Sequence, residues 1–293
     1  MKNTVCLQNN IDFSPFYKIN RERYGYHFCL YYKNSKLLYT FIPKNACTTL
    51  KYTLGVTNEN YDHTRTAHFH DKIYRYNGDD LPSDVRRLIV LRDPFARIIS
   101  AYLEKIVNPP YESFAFDVSC QILKNQRGFL DTDKIRVGDV VPTFKEFICY
   151  LFRRTDMQLN EHWRAQVAFP QFPTYDYVFC LERLSQDWLT SDLANIAFHS
   201  ASHHAVTAGK EVAQSMEELG LGRQQLSNLD GAVLRKALHA AGKVPSVNLF
   251  YNDEQVFERF CTRYAQDIKI YLNAFGPVKN ADVFERAKQY IDA

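Results

Sequence analysis

The residues best suited to chemistry fall in two short runs, each at the end of an apolar strand pattern. Leu37-Leu38-Tyr39-Thr40-Phe41-Ile42 runs into Pro43-Lys44-Asn45-Ala46-Cys47-Thr48-Thr49, and a helix is predicted to begin near Thr49. A strand, a turn and a helix start in that order place backbone N–H groups, two hydroxyls and an ammonium at a helix N-terminus. That is an anion cradle. It is not a G-x-x-x-x-G-K-[ST] loop: it holds no glycine, and its lysine comes before the turn. The second run, Arg92-Asp93-Pro94 after Leu88-Ile89-Val90-Leu91, puts a guanidinium at another strand-to-helix turn.

The elements that must position these groups are legible in outline. Asp93 as N-cap and Pro94 at the first helical position predict a helix start. Phe95, Ile98, Ile99, Tyr102, Leu103 and Ile106 then lie on one face at helical period. Tyr177-Val178-Phe179-Cys180-Leu181 is a third strand pattern, ending in Glu182-Arg183. Thr143 and Glu146 have capping-box spacing ahead of Phe147–Phe152. Near the C-terminus Val256, Phe257, Phe260, Tyr264, Ile268 and Leu272 predict one long amphipathic helix, capped by Asn252 or Asp253. Residues 107–140 and 200–248 read as irregular, apart from a helical pattern around Ala232–Ala241. Strands that deliver polar residues at their carboxyl ends define an α/β fold with a central parallel sheet flanked by helices.

Composition narrows the classes. With 293 residues, 46% apolar and 24% charged, the chain can build a sizeable core, and no linker composition divides it, so a single domain over 1–293 is expected. A net charge of +3 gives no reason to expect a nucleic-acid partner. No apolar run reaches the ~18 residues of a membrane-spanning helix. The first ten residues lack a signal-peptide h-region, so a cytoplasmic location is expected. Seven widely spaced cysteines, at positions 6, 29, 47, 120, 149, 180 and 261, without a C-x-x-C pair, predict reduced thiols rather than disulfides or a zinc site. His68, His70 and Asp71 could ligate a metal, but no second cluster matches them, and none is expected.

The two chemical runs also resemble a known family, the PAPS-dependent sulfotransferases, in their carbohydrate sulfotransferase branch. Ile42-Pro43-Lys44-Asn45-Ala46-Cys47-Thr48-Thr49-Leu50-Lys51 is similar to that branch's 5′-phosphosulfate loop. Val90-Leu91-Arg92-Asp93-Pro94-Phe95-Ala96-Arg97-Ile98-Ile99-Ser100-Ala101-Tyr102 is similar to its 3′-phosphate motif. Glu161-His162-Trp163-Arg164-Ala165-Gln166, followed by Tyr175-Asp176-Tyr177-Val178 and Glu182-Arg183-Leu184, resembles a third block, with Arg164 where proline is expected. Phe250-Tyr251 through Tyr264-Ala265-Gln266-Asp267 resembles the last, so the likeness spans roughly 40–272.

The resemblance implies a P-loop-like three-layer fold and in-line transfer of a sulfo group from PAPS to an acceptor hydroxyl, on a glycan or glycolipid, leaving PAP and needing no metal. Residues Pro43, Lys44, Asn45, Ala46, Cys47, Thr48 and Thr49 would hold the 5′ end, with Lys44 hydrogen-bonding the bridging oxygen of the leaving phosphate. Arg92 and Ser100 would hold the 3′-phosphate. Arg97 reads as structural. The acceptor needs a base near neutrality, and His70, ahead of His68, occupies the family's histidine position. If that segment is extended, both histidines face one side. His162, Trp163 and Gln166 are divided evenly between packing and ligand contact. Animal members of the family are Golgi-anchored, a feature this sequence does not display. Two other readings stand beside this one: a P-loop-like small-molecule kinase, and a non-catalytic nucleotide- or glycan-binding protein.

Overall fold

The computed structural model describes residues 11–58, 61–62, 67–109, 112–128, 141–199 and 210–291. The chain, read from sequence as one domain, forms two compact units, each discontinuous in sequence. The first comprises residues 1–93, 164–203 and 269–278; the second comprises 94–163, 204–268 and 279–293.

In chain order the helices are α1 (Ser14–Tyr24), α2 (Cys47–Gly55), α3 (Ala67–Ile73), α4 (Pro94–Tyr102), α5 (Glu112–Arg127) and α6 (Phe144–Phe152). They continue with α7 (Leu184–Thr190), α8 (Gly231–Ala241), α9 (Val247–Phe250), α10 (Glu254–Arg263), α11 (Ala265–Phe275) and α12 (Ala281–Ile291). None among the described residues is long and apolar enough to cross a membrane.

The first unit holds a sheet of β1 (Cys29–Tyr32), β2 (Leu37–Thr40), β3 (Arg86–Leu91) and β4 (Tyr177–Cys180), in that spatial order. β2, β3 and β4 are parallel, with Thr40 opposite Ile89 and Leu91 opposite Cys180. Every residue of β2 and β4 is buried, the pattern of parallel strands covered on both faces. Because the three run the same way, their carboxyl ends lie along one sheet edge, and the residues that follow them there are the Pro43–Thr49 run, Arg92 and Glu182. β1 is antiparallel to β2, pairing Cys29 with Thr40 and Tyr32 with Leu37 through a tight turn. The sequence reading missed it. β3 starts two residues before the predicted Leu88, because Arg86 and Arg87 hide the strand behind their charge. Arg87 stacks on Phe172, 4.7 Å from the ring centroid, and Arg86 pairs with Asp192.

The second unit packs aromatic rings around α4. The predicted apolar face is buried throughout, and Phe95 meets Tyr251, Phe260 and Phe284 at centroid distances of 5.2, 4.6 and 5.3 Å. α4 begins at Pro94, as its Asp-Pro signal predicts, and passes into one π-helical turn, Leu103–Val107. Arg97 is structural: it is 1% exposed and donates to the Glu161 carbonyl. The capping box closes as expected, with Glu146 N–H donating to Thr143 Oγ1 at 3.1 Å and Thr143 N–H to Glu146 Oε2 at 2.9 Å.

Two expectations change. Residues 107–140 are not irregular throughout, because Ala115, Val118, Ile122 and Leu123 form the buried stripe of α5, and 129–140 lie outside the described residues. The single C-terminal helix is two helices, α10 and α11, separated at Tyr264, whose hydroxyl donates to the Trp163 carbonyl at 2.5 Å.

Asp253 caps α10, accepting from Val256 N–H at 3.2 Å and from Lys145 at 2.9 Å. Burial opposes its ionisation, but the hydrogen bonds from Lys145 and the helix amides outweigh that and hold the carboxyl below its ordinary range. A depressed pKa stabilises the fold above the unfolded carboxyl's pKa, and the gain is lost as pH falls through the folded value. Asp253→Ala should therefore cost about 1 kcal/mol at pH 7. The difference from wild type, followed by denaturant melts, should shrink on acidification below pH ~4.

Candidate active site

The loop between β2 and α2 reaches its shape without glycine. Lys44 and Ala46 both have left-handed backbones, at φ 72° and 55°, where a side chain costs roughly 1–2 kcal/mol per residue. Two positive-φ residues flanking Asn45 fold the chain tightly between the end of β2 and the start of α2. Between them Asn45 is fully buried, and its Nδ2 donates to the Val90 carbonyl at 2.8 Å and to Gln166 Oε1 at 2.6 Å. Its side chain therefore serves the protein interior, and its backbone N–H closes the turn by donating to the Ile42 carbonyl at 3.1 Å. Pro43 is buried as well, whereas Lys44, Ala46, Cys47, Thr48 and Thr49 are half-buried and accessible. α2 starts at Cys47, two residues earlier than predicted, and its N-cap, Ala46, provides no side-chain acceptor. Its first N–H groups are left for water or an anion.

The Arg92 turn is joined to this loop. Arg92 Nη1 donates to the Lys44 carbonyl at 2.8 Å. The buried side-chain amide of Gln166 brackets the Arg92 backbone: Oε1 accepts from Arg92 N–H at 3.0 Å, and Nε2 donates to Arg92 C=O at 2.9 Å. Gln166 thus packs beneath the turns, and Trp163 is core, 5.6 Å edge-on to Phe147. His162 hydrogen-bonds Asn160 through Nδ1 at 2.7 Å. Arg164, which replaces an expected proline, covers the Tyr24 ring at 4.5 Å. Ser100 belongs to the second unit, on α4, at 8% exposure.

One carboxylate at this sheet edge was given no role in the sequence reading. Glu182 accepts from Asp93 N–H at 3.2 Å through Oε1, and from Tyr271 O–H at 3.0 Å and Cys180 Sγ at 3.2 Å through Oε2. Burial pushes the Cys180 thiol up to about 12, and burial, with the Glu182 charge, raises Tyr271 well above the ordinary phenol range. Both stay protonated and donate. The sequence signals for Glu182 were its place after an apolar strand pattern and its membership of the third block, neither of which gave it a role.

His68 and His70 lie on α3, so that segment is helical, not extended. Positions two apart on a helix are about 200° apart round its axis and do not share a face. Their side chains are outside the described residues. What ties α3 to α2 is a buried ion pair, with Lys51 Nζ 2.7 Å from the Asp71 carboxylate and 4.0 Å from the centre of the Phe41 ring. Among the described residues no cluster of three or more His, Cys, Asp or Glu could hold a metal ion, and the described cysteines are free thiols.

Comparison with known proteins bears on the whole arrangement. A family model described as the sulfotransferase family matches residues 27–240, and the chain belongs to that family. Carbohydrate sulfotransferase 11 of Rattus norvegicus is 28% identical over 173 residues, 53% of this chain and 49% of the relative. Carbohydrate sulfotransferase 9 of Homo sapiens is 28% identical over 167 residues, 52% and 37%. Carbohydrate sulfotransferase 12 of Xenopus laevis is 27% identical over 185 residues, 52% and 44%. The aligned region thus spans about half the length of these relatives or less. No solved structure matches the chain.

The Lys51–Asp71 pair makes a stability prediction. Removing one partner strands a buried charge, so Lys51→Met or Asp71→Asn alone should cost about 3–5 kcal/mol. The double variant Lys51→Met/Asp71→Leu, which removes both charges, should recover most of that in the same urea melts.

Proposed function

We propose that this chain transfers a sulfo group from PAPS to a hydroxyl of a carbohydrate acceptor. The observation that carries the reading is the joined pair of cationic turns at the ends of parallel strands β2 and β3, where Arg92 is hydrogen-bonded to the Lys44 carbonyl. A nucleotide with anionic groups at both 5′ and 3′ positions needs two such turns. The donor set fits it: an uncapped helix start, two threonine hydroxyls, an ammonium and a guanidinium. The names of the relatives favour a carbohydrate as acceptor.

In this reading PAPS supplies an activated sulfo group on a good leaving phosphate. The loop amides with Thr48 and Thr49 orient the 5′ end. Lys44 donates to the bridging oxygen, where negative charge grows as the S–O bond breaks, and a fixed ammonium there lowers the barrier more than it strengthens ground-state binding. Arg92 holds the 3′-phosphate through charge-assisted hydrogen bonds, and Ser100 joins it on the strength of the motif likeness alone. His70, or His68 in its place, takes the acceptor proton.

Thermal-shift titrations test the ligand first. PAP should raise Tm, a hundredfold excess over Kd adding about 2.7 kcal/mol, while 5′-ADP and ATP, with or without Mg²⁺, should do less. Selective stabilisation by Mg-ATP would replace this reading with a kinase. Lys44→Ala should lose about 10²–10³-fold in kcat, with PAP affinity changed only a few-fold. Arg92→Ala should weaken PAP binding by about tenfold or more, the loss of a charge-assisted hydrogen bond. A Lys44→Ala enzyme with wild-type turnover would remove the role assigned to that lysine.

A further inference from the structure

We infer that Gln166 is a positioning residue that sets the 5′ loop and the 3′ arginine at one fixed separation, and so controls how strongly the chain prefers a 3′,5′-bisphosphorylated nucleotide to a 5′-monophosphorylated one. The inference rests on the reading that a nucleotide occupies both turns.

The β3–β4 register runs to Leu91, opposite Cys180, one residue before Arg92. The Gln166 amide pairs with both the N–H and the C=O of Arg92, at 3.0 and 2.9 Å. The same Oε1 also accepts from Asn45 Nδ2 at 2.6 Å, and Asn45 lies between the two left-handed residues of the loop. One oxygen thus serves both turns.

Gln166 is itself held firmly. It opens the short 3₁₀ turn Gln166–Ala168, which is pinned to α1 by the buried Asn20, whose Nδ2 donates to the Val167 and Pro170 carbonyls at 2.8 and 3.0 Å. The chemistry demands an amide. A glutamate lacks the donor for Arg92 C=O, asparagine is one methylene shorter, and an apolar residue leaves the buried Asn45 and Arg92 groups without these hydrogen bonds. Gln166 is 3% exposed and lies under the loop, so its effect on the nucleotide passes through Arg92 and Asn45.

The test is isothermal titration of the full chain with PAP and with 5′-AMP, read as the ratio of the two dissociation constants. Wild type should favour PAP. In Gln166→Leu the ratio should fall by about tenfold or more, the equivalent of about 1.4 kcal/mol. Gln171→Leu is the control for a merely structural loss. Gln171 is equally buried in the same unit, and donates to the Phe169 carbonyl rather than to either turn. It should lose stability and keep the ratio.

Gln166→Glu covers the case in which the leucine variant does not fold. It should lose the ratio at pH 7.5 and recover it, relative to wild type at the same pH, as acidification protonates the carboxyl and restores a donor to Arg92 C=O. A wild-type ratio in a folded Gln166 variant overturns the inference, as does a loss in Gln166→Glu that is unchanged between pH 7.5 and acidified solution. Failure of wild type itself to prefer PAP would instead overturn the donor reading, and the inference with it.

Discussion

The backbone at Lys44 and Ala46 sits where side-chain-bearing residues are disfavoured, and the surrounding structure is arranged to keep it there. A glycine loop would take the same path at less strain but more freedom. Here the strained loop carries an ammonium at its apex and is clamped by Asn45, whose buried amide reaches the Val90 carbonyl of the neighbouring strand and Gln166. The start of α2 is uncapped because its N-cap is an alanine, whose methyl has no acceptor. Preorganisation of this kind moves the cost of shaping an anion site from binding to folding.

The edge of the sheet where β2, β3 and β4 end is held by polar groups rather than by apolar packing. Gln166 braces Arg92, Glu182 gathers the Asp93 amide with two donors whose burial keeps them protonated, and Lys51 with Asp71 joins α2 to α3. Each is a buried polar set that gains strength from low local dielectric and is expensive to leave incomplete. Such sets fix distances more sharply than apolar contacts do, because a hydrogen bond tolerates only a few tenths of an ångström. That property is what a site for two linked anions requires.

Much of this was legible in sequence, for identifiable reasons. Strong local signals carried: the three parallel strands, the Asp93-Pro94 helix start, the Thr143–Glu146 box and the apolar face of α4 all rest on residues close in the chain. The places where the reading slipped are those decided by distant partners. β1 needed knowledge of its pairing with β2, α5 was hidden by polar residues around a sparse buried stripe, and the C-terminal helix divides at Tyr264, whose hydroxyl partner lies about a hundred positions away in sequence. The site divides the same way. Lys44 and Arg92 stand out by type and position, whereas Gln166 and Glu182 acquire their meaning only from groups that the fold delivers from elsewhere, and a glutamine in a run of apolar residues reads as easily as packing.

Tyr271 carries a consequence for the order in which the molecule can be made. It belongs to the first compact unit, yet it is encoded after nearly all of the second. A nascent chain that has emerged through residue 203 contains all four strands of the sheet and both cationic turns, but not the hydroxyl that Glu182 accepts from. The first unit therefore lacks this contact for as long as Tyr271 is untranslated. That hydrogen bond waits until the ribosome has translated residues 204–268, which ties the ripening of the sheet edge to synthesis of a large part of the second unit.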